Sequence, residues 1–540
     1  MKLGSKRQPI YKYVQEHAGK TPEKAAINYY GREITYHELD QYSDRFAAYL
    51  MEKGIKKGDK VALYLQNSPQ YIIANLGIQK AGAVTSPCNP MFKEWELEYQ
   101  LNDLEAKVIV MLDALYPIFN NIRTNTKVEM VITTSYADFL PEEPYPVFPE
   151  PLKAKKEIVE SVDLFKLITD ASLSISKYPA VEMKEDVSLI VYTSGSTGAP
   201  KGAMLTFNNA EFKTKCMLNT YSFTSEDIFL SVMPVFHIAG MLVGLNSPLM
   251  AGGTIVLLTR FDPAAFLQAV EKYKATILYT TPPMNLDLIK RSETQQEKND
   301  LTSLRLNLGT SFGIQVSEEI SNKWEKVSGV PLFEFAYGMS ETHTGDALMP
   351  PDNVKYGTVG KPTYETEIKI MDLEEPEKEM PQGKQGEIVV KSPSVFKGYL
   401  NKQEATQRSF HDSFFYTGDI GLMDEEGYLH FLGRNKEMIK SSGYSVFPEE
   451  VEKMLVQHPA VGEVAVVGIP DAKRGESVKA FIVLEEQAAF ITEEELIQWA
   501  REKMSAYKYP REIEFTEALP KTTTGKLLRR LLKTNGNIKT

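Results

Sequence analysis

A strand-like run, Val187-Ser188-Leu189-Ile190-Val191-Tyr192, passes directly into a segment of small hydroxyls and glycines, Thr193 to Gly202, whose penultimate residue is Lys201. β-Branched and apolar residues at that density predict a buried strand, and α/β proteins place ligands at the ends of such strands. Glycines let backbone N–H groups approach an anion closely, while hydroxyls and Lys201 add donors and charge. The segment therefore predicts a phosphate cradle. It is not a Walker A loop: no Gly-Lys-Ser/Thr follows at the required spacing, and Pro200 would interrupt the helix that motif needs. Gly, Ser and Thr also make up ordinary surface loops, so the segment's companions elsewhere in the chain must decide.

At 540 residues the chain exceeds what one hydrophobic core supports, and two or more domains are expected. Leu39 to Lys53 and Tyr71 to Gly82 read as helices, Lys60 to Gln66 and Val84 to Cys88 as strands, an alternation expected of doubly wound sheets. The Pro- and Glu-rich stretch Pro141 to Lys156 predicts an exposed connection. Gly418 to Met423 and Gly427 to Leu432 read as a turn-linked strand pair. Beyond Arg434 comes a compact pattern: helix Pro448 to Gln457, strands Val461 to Gly468 and Val478 to Leu484, helix Glu493 to Lys503 and strand Arg511 to Phe515. The expected fold class is α/β, with a large multi-subdomain N-terminal α/β domain of doubly wound sheets (residues 1–433) and a small C-terminal α+β domain (residues 434–540).

The formal charge of −11 argues against nucleic acid as a partner, since phosphate affinity needs a clustered positive surface. Cys88 and Cys216 are the only cysteines and have no metal-type spacing, so neither a disulfide framework nor structural zinc is expected. The N-terminus, with Lys2, Lys6 and Arg7 among polar residues, lacks the apolar core of a signal peptide. Ile238 to Met250 is too short to span a bilayer. A cytoplasmic location is expected. Lys526 to Lys533 reads as a short basic amphipathic helix, docked on its own domain or in peripheral contact with a membrane.

The eleven residues Tyr192 to Gly202 resemble YTSGTTGxPKG, the phosphate-loop signature of the adenylate-forming superfamily, with Ser196 where threonine is usual. That superfamily contains acyl- and aryl-CoA synthetases, peptide-synthetase adenylation domains and firefly luciferase. Such enzymes convert a carboxylate, a poor acyl donor, into a mixed anhydride with AMP. This requires a triphosphate cradle, a divalent cation, an adenosine pocket and a cation near the reacting oxygens. By the resemblance, Ser194, Gly195, Ser196, Thr197, Gly198 and Lys201 hold the β,γ-phosphates, and Thr193 shares Mg²⁺ with a distant glutamate.

Four further strings carry the resemblance. Tyr337-Gly338-Met339-Ser340-Glu341-Thr342 is similar to YGxTE, which implies that Tyr337 lines the adenine pocket, Gly338 and Ser340 lie against the nucleotide, and Glu341 is the metal ligand. Carboxylate and hydroxyl oxygens suit a hard cation that bridges phosphates. Tyr416-Thr417-Gly418-Asp419 is similar to TGD, whose aspartate binds the ribose hydroxyls; an ionised carboxylate accepts two vicinal O–H groups strongly. Gly433 to Gly443 matches GRxKxxIKxxG, which implies Arg434 on ribose or phosphate, Lys436 at a hinge, and Lys440 and Gly443 on a loop brought to the site for thiol attack. Leu519 to Lys526 resembles the terminal PKTxxGK signature, which implies that Lys526 bridges the acid carboxylate and the α-phosphate. Taken singly, each string also has an ordinary turn or linker reading.

Pro234-Val235-Phe236-His237-Ile238-Ala239-Gly240 resembles the motif that sets His237 beside the acid carboxylate. Gly240, Met241 and Gly244, with Gly309, are the expected acyl-pocket residues; core packing is the alternative for the first three. No acidic residue near His237 could pair the ammonium of an amino acid, which disfavours amino-acid substrates. The expected reaction is ATP-dependent formation of an acyl-CoA from a medium- to long-chain fatty acid, with AMP and PPi released and ATP, Mg²⁺ and coenzyme A required. An aryl-acid CoA ligase, or an acyl-AMP ligase loading a freestanding carrier protein, is the alternative. Monomer and homodimer are both open.

Two departures stand out: Phe207 replaces the histidine of a THxN context, and Gly309-Thr310-Ser311-Phe312-Gly313 replaces a GGAPL-like segment. The latter also fits the GxSxG elbow of serine esterases, with His343, His411, His430 and His458 as candidate partners. An ATP-binding module without turnover is a further rival, opposed by the joint presence of Thr193, Glu341 and Lys526.

Overall fold

The computed structural model describes residues 7–535 apart from 194–199, 295–297, 313, 442–443, 472–473, 486–487, 489–490 and 522–526. Two large sheets dominate. One has eight strands, Gly398–Tyr399, Lys201–Thr206, Val187–Thr193, Val84–Pro87, Lys60–Tyr64, Val108–Leu112, Met130–Thr134 and Val162–Asp163 in spatial order. It is parallel from Val187–Thr193 onward, and the first two strands are antiparallel additions. The other has seven strands, parallel except where the edge strand Arg32–Thr35 joins Ala25–Tyr29.

Helices cover both sheets, as βα alternation demands. The helix Tyr36–Glu52 begins three residues before Leu39 because Thr35 and Glu38 form a capping box that satisfies the first backbone donors. The helix Pro69–Lys80 starts on Ser68 with Pro69 in its first turn and is buried on nearly every side. Gly77 makes this packing possible: a Cβ there would lie 2.7 Å from the Phe46 ring and 2.9 Å from the Ser43 carbonyl.

The predicted phosphate loop is not followed by a helix. Strands Val187–Thr193 and Lys201–Thr206 instead pair antiparallel, with Thr193 opposite Lys201. The stretch Pro141 to Lys156 is less exposed than its composition suggests, because Phe148 is buried against Tyr29, Tyr30 and Tyr136.

After the strands Phe414–Met423 and Leu429–Arg434, the chain forms a five-stranded sheet with a separate apolar core drawn from Ile439 to Ile513. The helix Arg529–Asn535 docks on it: Arg529 lies 2.6 Å from Glu437, 3.2 Å from Glu449 and 2.7 Å from Glu452, and Leu532 is buried. No helix among the described residues is long and apolar enough to cross a membrane.

Candidate active site

A cavity of about 1400 Å³ opens between the eight-stranded sheet (Thr193, Lys201, Tyr399), the sheet around Asp419 (Glu387, Tyr416, Arg434) and the C-terminal residues Lys521 and Leu528. Thr193 and Lys201 reach it from their antiparallel strands, and the Thr193 hydroxyl donates to the Lys201 carbonyl at 3.4 Å, closing the base of the loop. Glu341 reaches it from the 3-10 turn Ser340–Thr342, and the Tyr399 hydroxyl donates to Glu341 Oε1 at 2.8 Å. Gly338 and Ser340 line the same wall. Only glycine fits at Gly338, where a Cβ would lie 2.5 Å from the Gly345 nitrogen.

Tyr337 is buried behind that wall, its hydroxyl donating to Asp419 Oδ2 at 3.0 Å. Burial, with the Asp419 carboxylate beside it, holds this phenol protonated far above neutral pH. Arg434 Nε lies 3.3 Å from Asp419 Oδ1, because strands Phe414–Met423 and Leu429–Arg434 pair with the two residues in register. Lys436 also lines the cavity, its pKa lowered by burial and by the charge of Arg434.

Thr193 and Glu341 both line the cavity and supply two hard oxygen donors, and no cluster of three or more metal-ligating side chains occurs among the described residues. That donor set fits Mg²⁺, which is held by one or two protein oxygens plus phosphates and water rather than by a protein cage.

Phe236, His237, Ile238 and Ala239 form another part of the lining, facing Thr310 and Phe312; the His237 ring meets the Phe312 ring edge-on at 6.2 Å. Gly240, Met241, Gly244 and Gly309 do not line the cavity. A Cβ on Gly240 would fall 2.1 Å from the Pro234 carbonyl oxygen, and one on Gly244 2.3 Å from Ser231 Oγ. These two glycines let the segment from Ile238 lie against its neighbouring strand, and Met241 packs in the core. Gly309 is the close-packed end of a strand, with Leu332 and the Phe333 carbonyl within 2.9 Å of a would-be Cβ.

Two faces of the small domain are placed differently. Lys521 and Leu528 line the cavity; Lys521 forms a bridge with Leu527, and the Leu528 N–H donates to the Pro520 carbonyl at 2.8 Å. Lys440 is exposed on the strand Ile439–Ser441, off the cavity lining, with its N–H bonded to Glu476 Oε2 at 2.8 Å. Ser194, Gly195, Ser196, Thr197, Gly198, Gly443 and Lys526 lie outside the described residues.

The esterase alternative has no elbow. After Ser311 the chain does not enter a helix until Glu318–Ser328, and the Ser311 N–H and hydroxyl both donate to Glu334 Oε2, the N–H at 2.9 Å. No histidine bonds Ser311 among the described residues: His430 bonds Asp424, His458 packs on Trp499, and His343 is buried with its pKa lowered to about 4 by that burial. Sequence reasoning missed the cavity-wall residue Tyr399 and the Ser311 acceptor Glu334, because neither falls in a string whose residue types imply chemistry.

The AMP-binding enzyme family matches residues 14–400 and its C-terminal domain matches residues 450–526. The chain is 37% identical to the long-chain-fatty-acid–CoA ligase of Bacillus subtilis (strain 168), covering 95% of this chain and 92% of that protein. It is 32% identical to a feruloyl-CoA synthase of an Amycolatopsis species, with 95% and 96% covered. Among solved structures, ATP-bound MatB from Rhodopseudomonas palustris superposes with a TM-score of 0.86 at 28% identity, and apo MatB with 0.76 at 29%; both cover 98% of this chain and 99% of theirs. By sequence across nearly its whole length and by fold, the chain belongs to the AMP-binding enzyme family of adenylate-forming proteins.

Proposed function

We propose that this protein is an AMP-forming acid–CoA ligase whose acid is a long-chain fatty acid. The observation that carries the reading is one cavity joining a nucleotide wall (Thr193, Lys201, Glu341 and Arg434, with Tyr337 and Asp419 behind it) to an apolar wall headed by His237. In the first half reaction an acid carboxylate oxygen attacks the α-phosphorus of ATP and pyrophosphate leaves. In the second the CoA thiol attacks the acyl carbon, AMP leaves and the thiol proton is lost. The phosphate loop and Lys201 bind the β,γ-phosphates; Tyr337, Asp419 and Arg434 bind adenosine; His237 orients the carboxylate. Thr193 and Glu341 would hold Mg²⁺, which would supply charge neutralisation on the phosphates.

The acid assignment draws on the long-chain ligase of Bacillus subtilis and on the apolar side chains Phe236, Ile238, Ala239 and Phe312 along the cavity. The small domain, taken as residues 434–540, turns about Lys436. The arrangement with Lys521 and Leu528 at the cavity, and the higher TM-score against ATP-bound than against apo MatB, favour an adenylating orientation in which Lys526 acts. The opposite orientation presents Lys440 and Gly443 to the thiol. The test is CoA-dependent AMP release over a panel of acids. Rising kcat/KM from hexanoate to hexadecanoate is expected, whereas a preference for ferulate or other cinnamate-like acids would transfer the assignment to the aryl-acid class, as in the Amycolatopsis relative.

A further inference from the structure

Tyr399 stands between two groups that must cooperate on a triphosphate. Its hydroxyl donates to Glu341 Oε1 at 2.8 Å, and the Lys201 ammonium sits over its ring at 4.2 Å from the centroid. The position follows from backbone pairing. The short strand Gly398–Tyr399 adds to the free edge of Lys201–Thr206, with Tyr399 opposite Ala203, and the Leu400 N–H bonds the Gly202 carbonyl at 2.8 Å. The same segment is tied to the other wall, where the Phe396 N–H donates to the Glu341 carbonyl at 2.7 Å. Packing accounts for the ring, which lies 4.8 Å from that of Phe396. It does not account for a buried hydroxyl directed at a carboxylate that also faces the cavity.

We propose that Tyr399 is a positioning residue that sets the Glu341 carboxylate for the cation and the Lys201 ammonium for the phosphates, so that the phosphate-binding lysine and the metal site act as one unit. The proposal rests on the reading of Glu341 as metal ligand. A carboxylate with one oxygen committed to Tyr399 offers the other to the cation in a fixed orientation, which lowers the ordering cost of binding. A cation over a phenol face keeps its N–H donors free for an anion while its side chain is restrained.

The test is calorimetric binding of ATP to the full chain over a series of Mg²⁺ concentrations and in EDTA, with Tyr399→Phe, Glu341→Gln and the double variant. Tyr399→Phe keeps the ring under Lys201 and removes the hydroxyl. It is expected to raise the Mg²⁺ concentration needed for half-maximal ATP affinity by about tenfold, to leave binding in EDTA unchanged, and to add nothing in the Glu341→Gln background. Tyr399→Leu, which also removes the ring, is expected to weaken binding in EDTA by about threefold as well. Wild-type Mg²⁺ dependence in Tyr399→Phe beside a shifted Glu341→Gln, or additive shifts in the double variant, overturns the role of Tyr399 alone. An unshifted Glu341→Gln removes the metal-ligand reading and this proposal with it.

Discussion

Asp419 and Arg434 face each other across two antiparallel strands, Arg434 Nε 3.3 Å from Asp419 Oδ1, while the Tyr337 hydroxyl bonds Asp419 Oδ2 at 3.0 Å. One buried carboxylate thus fixes a guanidinium and a phenol that belong to separate sequence motifs. Asp419→Ala leaves both without their acceptor and is expected to lower kcat/KM for ATP by roughly a hundredfold. Tyr337→Phe, which removes one donor, is expected to cost about tenfold. Steady-state kinetics with varied ATP at saturating acid and CoA check the order; an equal loss in both variants would contradict it.

Glu334 gives the protein a pH signature. Burial raises its carboxyl to about 7 against the opposing Ser311 bonds, so it is protonated in the folded chain where the unfolded chain is already ionised. Its contribution to stability is complete below the ordinary glutamate range near 4.5 and is lost as pH rises through about 7. Glu334→Gln keeps acceptors for Ser311 without the charge. Chemical denaturation from pH 4 to 8 should show the variant gaining on wild type across that window, by roughly 2 kcal/mol at most. A constant difference across the range would contradict the assignment.

Ala239 lies on the cavity beside His237. If the acyl chain runs along this wall, Ala239→Phe shortens the space available to it. The expected result is a loss of about tenfold or more in kcat/KM for hexadecanoate with little change for hexanoate. Uniform loss at all chain lengths would place the chain elsewhere.

The two faces of the small domain predict separable defects. Lys526→Ala is expected to abolish acyl-AMP formation and to spare thioester formation from supplied acyl-AMP; Lys440→Ala is expected to do the reverse. Equal losses in both half reactions, for either variant, would sink the alternation.

Regular elements were legible where local rules decide them. The helix Glu493–Lys503 occurs as expected because Thr492 and Glu495 cap it and acidic and basic residues occupy its two ends. The class of the molecule was legible too, through strings whose residues Thr193, Glu341 and Asp419 have few other reasons to occur in that order. The exit from the phosphate loop was not, since antiparallel pairing depends on the edge strand that receives it and not on Pro200. Gly240 and Gly244 look like pocket residues in sequence, yet their missing Cβ atoms serve contacts with Pro234 and Ser231, residues whose closeness only the fold creates. Tyr399 and Glu334 went unseen for the same reason: their partners Glu341 and Ser311 lie 58 and 23 residues away.

The most direct measurement incubates the purified chain with Mg²⁺ and hexadecanoate, with and without CoA, using unlabelled ATP with labelled pyrophosphate in one arm and α-labelled ATP in the other. The account predicts acid-dependent exchange of pyrophosphate into ATP without CoA and, once CoA is added, equimolar AMP and hexadecanoyl-CoA. Formation of ADP, or of the thioester without AMP, would contradict it.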